Sequence, residues 1–297
     1  MSPVRDDFMT PQRSVLITGC SAGGIGHALA LEYHARGLRV IATARRLEAM
    51  EELQAAGITA MKLDVTDVEA VRRVRDEVAA MTGGALDILI NNAGHGYTVA
   101  ITDMDLTDVR ELFEVNVIGP ICMVQEFANL LINSGDGRIV QVGSIAGFIG
   151  IPFGAAYNMS KAALMSFSNT LRVEMAPFNV KVIHAITGRV KTEIVKPRSI
   201  PPDSLYREME DVFQTKRLHA SQQGAMPTAA YARQLAPETL KPRPHSYLWV
   251  GGHVWVPWLI HTFLGQWGFD WLVRTMFGFS GFSPVRTPDG TIKLKRD

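Results

Sequence analysis

The sequence predicts a three-layer α/β fold in which a doubly wound parallel sheet carries helices on both faces. Two observations predict this fold class. Short, continuously apolar segments rich in Val and Ile alternate with amphipathic helical segments along the first 190 residues. A glycine-rich turn at 19–26 joins the first of these strands to the first helix, as in sheets that bind dinucleotides.

The individual elements follow from the periodicity of apolar residues. Strands are predicted at 14–18, 38–43, 58–63, 86–90, 138–142, 180–186 and 246–250. Helices are predicted through 28–32 with an end at Gly37, and at 47–56, 67–81, 106–132 and 155–176. Right-handed crossovers between such strands produce a Rossmann-like sheet, whose ligands bind at the carboxyl ends of the strands.

Three changes in composition divide the chain. Residues 1–13 are a polar extension without the apolar core of a signal peptide. Residues 14–250 form the predicted Rossmann-like catalytic domain, in which a proline-rich segment at about 190–245 loses the strand–helix rhythm. We interpret that segment as a lid, with an ordinary surface loop as the alternative. Residues 251–297 are an apolar, Trp-rich C-terminal appendage.

Composition also argues against several function classes. The formal net charge is +1 and acidic and basic residues are interleaved, so no basic patch predicts a nucleic-acid partner. The two cysteines are far apart and are typical of a reducing compartment. No His or Cys cluster has metal-ligand spacing, so no metal is predicted.

The turn Thr-Gly-Cys-Ser-Ala-Gly-Gly-Ile-Gly at 18–26 is the predicted cofactor loop. Glycines let a backbone approach a pyrophosphate, and the following helix offers free N–H groups and the positive end of its dipole. The predicted contacts come from Gly19, Ser21, Gly24, Ile25 and Gly26.

The end of the second strand predicts the cofactor. NAD-binding sheets place a carboxylate there for the ribose 2′-hydroxyl, whereas an Arg holds the 2′-phosphate of NADP. This sequence has Arg45 and Arg46 at that point and no acid, which favours NADPH/NADP+ with Arg45 on the phosphate. The alternative is that both arginines are a solvated start of a helix.

The predicted catalytic pair is Tyr157 and Lys161, which lie four residues apart and therefore share one face of a helix. A free phenol has a pKa of about 10, and a nearby ammonium lowers it toward the range that proton transfer requires. Ser144 follows the fifth strand and can hydrogen-bond a substrate oxygen. Asn116 is predicted in the middle of a helix, a position that Asn disfavours, which indicates a specific role.

Together these motifs resemble the short-chain dehydrogenase/reductase family, over about residues 14–195. The resemblance implies an Asn116–Ser144–Tyr157–Lys161 tetrad. Tyr157 would be the general acid, Ser144 would polarise the carbonyl, and Lys161 would lower the Tyr157 pKa and hold the nicotinamide ribose. Asn116 would support a water linking Lys161 to solvent.

The same resemblance extends the cofactor site. It implies that Asp64 and Val65 flank the adenine and that Asn92, Ala93 and Gly94 line the cofactor. The segment at 187–192 corresponds to the family's Pro-Gly-x-Val-x-Thr, with Thr187 in place of the proline, and Val190 and Thr192 would touch the carboxamide. His95 follows Gly94 in sequence and is either a substrate contact or a packed or solvated histidine.

All five tryptophans fall within 249–271, and the stretch 247–282 is strongly apolar. Tryptophan at such density is typical of membrane interfaces, while glycines and Pro257 interrupt any spanning helix. Three hypotheses remain: a peripheral membrane or lipid-droplet contact, a wall for an apolar substrate, or core and a homo-oligomer interface.

The motifs TGCSAGGIG and TARRLEAM, with the Trp-rich tail, are similar to those of fungal NADPH-dependent 1-acyldihydroxyacetone-phosphate reductases. That resemblance implies reduction of 1-acyl-dihydroxyacetone phosphate or a similar lipid-like ketone, on the cytoplasmic side of the endoplasmic reticulum or a lipid droplet. A soluble cytoplasmic location is the alternative. The alternative functions are a ketoreductase of fungal secondary metabolism, acting on a polyketide, terpenoid or alkaloid, and a non-catalytic cofactor-binding scaffold.

Overall fold

A computed structural model of the chain describes residues 12–219, 223–286 and 292–296. Its centre is a seven-stranded sheet of order β3-β2-β1-β4-β5-β6-β7, and every neighbouring pair is parallel. The strands are β1 (Ser14–Thr18), β2 (Arg39–Ala44), β3 (Thr59–Lys62), β4 (Ile88–Asn91), β5 (Arg138–Val142), β6 (Lys181–Thr187) and β7 (Tyr247–Val250). The predicted α/β class and doubly wound sheet are confirmed.

Helices cover both faces of this sheet. They are α1 (Ile25–Ala35), α2 (Glu51–Ala55), α3 (Val68–Thr82), α4 (Leu106–Phe113), α5 (Gly119–Asn133), α6 (Ala155–Met175), α7 (Glu210–Val212), α8 (Thr228–Leu240), α9 (Trp255–Phe263) and α10 (Gly265–Phe277). Local chemistry sets their ends. The Asp67 carboxylate caps α3 by accepting from the Ala70 N–H at 3.0 Å, and Gly83, with φ +67°, ends that helix.

Two apolar cores lie on opposite faces of the sheet. One packs α1 and α8 against β1, β2 and β6, and the other packs α3, α5 and α6 against the same sheet. The helical stretch Leu106–Asn133 is long and apolar enough to span a membrane, but 56% of its most apolar window is buried in the protein. In this chain it serves as a core helix.

The prediction of one continuous helix at 106–132 is wrong in detail. That stretch is divided into α4, a π-helical turn at Glu114–Ile118 and α5. The wide turn carries Asn116, whose amide is bound to the neighbouring loop, and such π-turns occur where a side chain must be placed for function. The predicted helix at 47–56 is likewise a 3₁₀ turn, Leu47–Met50, followed by α2.

Helix α8 lies inside the 190–245 segment, in which the sequence showed no alternation of strands and helices. Pro237 stands within it, and prolines elsewhere in 190–245 hid its pattern. Tertiary packing stabilises this helix, because Tyr231 and Leu235 are buried in the core and Thr239 is hydrogen-bonded to Tyr33 of α1 at 2.5 Å.

A third apolar cluster lies beyond the carboxyl edge of the sheet. It brings Phe153, which precedes α6, together with Phe213 of the 190–245 segment and Phe277 of α10. The antiparallel hairpin β8 (Phe282–Arg286) and β9 (Ile292–Arg296) follows, and Leu294 packs on the same cluster. The C-terminal residues therefore pack on the segment that follows β6.

The buried ring of His184 on β6 makes stability depend on pH. Its Nδ1 is hydrogen-bonded to Ser168 at 3.0 Å, its Nε2 has no partner, and Gly143 leaves room for the ring because a Cβ there would lie 2.1 Å from Nε2. Burial, together with the charges of Lys161 and Arg172, lowers the pKa of His184 to about 3.

We expect the free energy of unfolding to fall as the pH drops below the ordinary histidine pKa. There the unfolded chain binds a proton that the folded chain cannot accept until about pH 3. Between about pH 6 and pH 4 this histidine contributes a slope of about 1.4 kcal/mol per pH unit. Denaturant titrations should show the slope reduced by that amount in His184→Leu and retained in His34→Leu, an exposed control. Equal slopes in both variants would contradict the prediction.

Candidate active site

A cleft of about 400 Å³ opens at the carboxyl ends of β1, β2, β3 and β4. It lies where the strand order reverses, because the chain runs outward from β1 to β3 and then returns to β4. The structure brings most of the predicted cofactor residues to this cleft. Lining it are Gly19, Ser21, Gly24, Ile25, Arg45, Asp64, Val65, Asn92, Ala93, Gly94 and Thr192.

The glycine-rich turn is shaped by close packing. Gly19 has φ +74°, and a Cβ there would lie 2.8 Å from Ala93 Cα. A Cβ on Gly26 would lie 2.5 Å from Gly19 O and from Asn92 Nδ2, so Gly26 lets α1 begin against the turn without lining the cleft itself. No side chain caps α1, so its first N–H groups face the cleft mouth.

Asn92 joins the two loops that border the cleft. Its Nδ2 donates to Thr18 O at 2.8 Å and to Gly19 O at 3.0 Å. In the other direction, Thr18 Oγ1 accepts from the backbone N–H groups of Asn92 and Ala93, both at 3.0 Å. Thr18 and Asn92 therefore hold the β1 and β4 loops at a fixed separation.

Arg45 and Arg46 are exposed at the end of β2 and both line the cleft. Among the ion pairs of the described residues, neither arginine has a carboxylate partner. Asp64 on the next loop accepts from the Thr66 N–H at 3.0 Å. A glycine turn, an uncapped helix start and two unpaired guanidiniums fit a phosphorylated dinucleotide.

Tyr157 and Lys161 lie on the first turns of α6, as their spacing predicts. The side chain of Ser144, which follows β5, lies close enough to the Tyr157 phenol to act on its pKa. Lys161 Nζ lies 5.8 Å from the centre of the Tyr157 ring and donates to Val142 O at 3.0 Å. The structure thus brings the three predicted catalytic side chains together.

Burial changes the acidity of both groups. It raises the pKa of Tyr157, while the hydrogen bond with Ser144 and the charge of Arg217 act in the opposite direction. It also lowers the pKa of Lys161 to about 8. Below that pH the lysine is a buried cation beside the phenol, which favours the phenolate that remains after a proton is given away.

Asn116 connects the catalytic helix to the cofactor loop. Its Oδ1 accepts from the His95 N–H at 3.0 Å, and its Nδ2 donates to His95 O at 3.0 Å and to Ser160 Oγ at 3.1 Å. A Cβ on Gly94 would lie 3.0 Å from Asn116 Oδ1 and 3.8 Å from Lys161 Nζ. Asn116 therefore positions the backbone that borders Lys161.

The segment after β6 covers one side of the cleft. Val190 is buried, bridges to Met226 and does not line the cleft, whereas Thr192 does. Gly96 approaches this segment so closely that a Cβ would lie 2.6 Å from Ile194 O. Sequence reasoning missed the lining residues Val115, Glu193, Ile194 and Lys196, because no motif marks them. His95 lines the cleft with an exposed ring.

Arg217 is a further charged residue that sequence reasoning missed. It lies on the π-helical turn Phe213–Leu218 and places its guanidinium near the start of α6. No spacing relates it to Tyr157 in the sequence, so only the fold reveals their proximity.

Comparison with known proteins agrees with this geometry. The family model described as short chain dehydrogenase matches residues 13–202. The chain is 42% identical over 292 residues to the short-chain dehydrogenase srdE of Neurospora crassa, covering 97% of this chain and 99% of that one. It is 47% identical over 205 residues to the NADPH-dependent 1-acyldihydroxyacetone phosphate reductase of Schizosaccharomyces pombe, covering 67% and 69%.

A solved structure shares the fold. A short-chain dehydrogenase from Streptomyces avermitilis superposes with a TM-score of 0.74 and 29% sequence identity, covering 91% of this chain and 96% of that one.

Proposed function

From the premise that this chain belongs to the short-chain dehydrogenase family, we propose that it is an NADPH-dependent reductase of a ketone in an apolar molecule. Its membership makes it an oxidoreductase with a Rossmann-like fold and an NAD(P) cofactor. The observation that carries the proposal is the grouping of Ser144, Tyr157 and the buried Lys161, next to Gly94, which lines the cofactor cleft.

The side chains have separate roles in this reaction. The reduced nicotinamide, when bound, supplies the hydride to the ketone carbon. Ser144 donates a hydrogen bond to the carbonyl oxygen, where negative charge develops. Tyr157 gives its phenolic proton to that oxygen, and the Lys161 ammonium stabilises the phenolate left behind. Asn116 holds the His95 backbone and Ser160, so that Lys161 keeps its place. An intact arrangement of these four residues argues against a non-catalytic scaffold.

We expect Tyr157→Phe to lower kcat for NADPH oxidation by at least about 100-fold with every ketone that the wild-type protein reduces. The variant keeps the ring but removes the general acid, and general acids contribute on the order of 10²–10⁴-fold. A panel of ketones followed at 340 nm measures this, with NADPH binding as the control for folding. Equal NADPH oxidation by both proteins with all ketones would refute the reductase proposal.

NADPH rather than NADH is proposed on the charges at the end of β2. Arg45 and Arg46 both line the cleft there, and among the ion pairs of the described residues neither is paired with a carboxylate. The similar protein of Schizosaccharomyces pombe is named as NADPH-dependent, which supports the same assignment.

Replacing Arg45 tests this assignment. We expect Arg45→Ala to raise KM for NADPH about 10- to 100-fold and to leave KM for NADH nearly unchanged, because only NADPH carries the 2′-phosphate. Arg46→Ala is the neighbouring control, with a smaller expected effect. Steady-state kinetics with both cofactors decide it, and equal losses for NADPH and NADH in Arg45→Ala would contradict the assignment.

The proposed substrate is bulky and apolar. The aromatic cluster of Phe153, Phe213 and Phe277 lies beside the start of α6, near Tyr157. We favour a ketone of fungal secondary metabolism, such as a polyketide, terpenoid or alkaloid. Fungal relatives aligned over most of the chain are named as short-chain dehydrogenases. The named reductase of an acylated dihydroxyacetone phosphate covers only 67% of the chain, so 1-acyl-dihydroxyacetone phosphate is the second candidate.

We also propose that helices α9 and α10 rest on a membrane or lipid-droplet surface. Their exposed side chains include Trp258, Phe263, Trp267 and Trp271, with exposures of 73% at Trp267 and 65% at Trp271. The helices have 9 and 13 residues, fewer than the roughly 20 that span a bilayer. Interfacial tryptophans and the basic strand β9 suit a peripheral contact with anionic lipid, on the cytoplasmic side.

Trp267→Ser combined with Trp271→Ser should reduce flotation of the protein with vesicles of phosphatidylcholine and phosphatidylserine at least about fivefold, because both rings are lost from the interface. Val173→Ser, at an equally exposed position of α6, should float like the wild type. Unchanged flotation of the double variant would rule out this surface. If the wild type is a dimer and the double variant is a monomer whose flotation is unchanged, the surface is instead a contact between two copies of the chain.

A further inference from the structure

Arg217 is a partly buried cation close to the start of α6. Within the part of the chain that the structure describes, its buried Nε has no hydrogen-bond partner, and its Nη2 donates a long hydrogen bond, 3.4 Å, to Thr98 Oγ1. Among the ion pairs of the described residues, no carboxylate is paired with it. A buried charge of this kind is costly unless something compensates it.

The position of the guanidinium connects it to the reacting groups. Nη2 lies 3.4 Å from the point that a Cβ on Gly154 would occupy, and Gly154 immediately precedes α6. Tyr157 is in the first turn of that helix, and the charge of Arg217 acts on its phenol. The side chain therefore lies within electrostatic range of the phenol that is proposed to protonate the substrate.

The start of α6 adds to the positive potential. No side chain caps this helix and its first turn carries no acidic residue, so the positive end of its dipole faces the same region as Arg217. The flanking residues Phe213 and Leu218 are buried in the aromatic cluster, which keeps the surroundings apolar. In such surroundings a charge-assisted hydrogen bond is strong.

We propose that Arg217 is a specificity-determining residue that binds an anionic oxygen group, a carboxylate or a phosphate, carried by the ketone substrate. The guanidinium offers planar donors that match such a group, and the buried apolar cluster beside it keeps its surroundings apolar. This inference rests on the proposed reductase function and narrows its substrate to an apolar ketone with an acidic group close to the carbonyl.

The test compares ketones that differ only in the acidic group, using the full chain with NADPH. One pair is 4-oxodecanoate and methyl 4-oxodecanoate, and the other is 1-hexadecanoyl-dihydroxyacetone phosphate and 1-hexadecanoyl-dihydroxyacetone. We expect the wild type to favour the charged member of at least one pair by about 10- to 100-fold in kcat/KM. The favoured pair identifies the group as carboxylate or phosphate.

Variants then assign the preference to the side chain. Arg217→Met should abolish the preference by raising KM for the charged ketone alone, whereas any change in kcat from the loss of its charge near Tyr157 should be the same for both members of a pair. Arg217→Lys should retain part of the preference, because it keeps the charge. Lys216→Met, an exposed neighbour on the same turn, should behave like the wild type.

Two results would overturn this inference while leaving the reductase function intact. One is equal reduction of the charged and neutral ketones by the wild type. The other is an equal loss with both members of a pair in Arg217→Met, which would mean that Arg217 acts on Tyr157 or on folding alone. If no ketone of either kind is reduced, the reductase function itself fails.

Discussion

The arrangement that the rest of this structure depends on is the separation of the β1 and β4 loops at the reversal of the sheet. Parallel order 3-2-1-4-5-6-7 forces the chain to leave the sheet in opposite directions on either side of this point. Thr18 and Asn92 bridge the gap with four hydrogen bonds between 2.8 and 3.0 Å. Because polar groups are thereby satisfied at the base of the cleft, the glycine turn and the Asn92–Gly94 backbone can stay close together.

The pKa values of Tyr157 and Lys161 depend on burial as much as on neighbouring charges. Lys161 is buried and donates a hydrogen bond to the Val142 carbonyl oxygen, and burial lowers its pKa to about 8. Burial of Tyr157 acts against ionisation, and Ser144 and Arg217 act in its favour. Asn116 keeps these groups in position, because the π-turn lets its one amide bind both the His95 backbone and Ser160.

The third apolar cluster joins the residue before α6, the 190–245 segment and helix α10. Phe153, at the centre of four aromatic rings, has φ +60°, which costs a non-glycine residue about 1–2 kcal/mol. Its carbonyl accepts from the Val99 N–H at 2.8 Å, so packing and hydrogen bonding maintain that conformation. The cluster packs α10 against the residues on either side of Arg217, so the Trp-rich helices and the Phe213–Leu218 turn support each other.

Sequence alone determined the sheet, the cofactor turn and the Tyr157–Lys161 pair, because each depends on spacing within a short segment. Strand periodicity, a glycine turn and an i, i+4 pair are local properties. The sequence did not show the π-turn at Asn116, helix α8 or the role of Arg217. The π-turn follows from hydrogen bonds to a loop 21 residues away, and α8 forms because a distant helix buries one of its faces. Arg217 lies 60 residues after Tyr157, and only the tertiary structure sets it beside the start of α6.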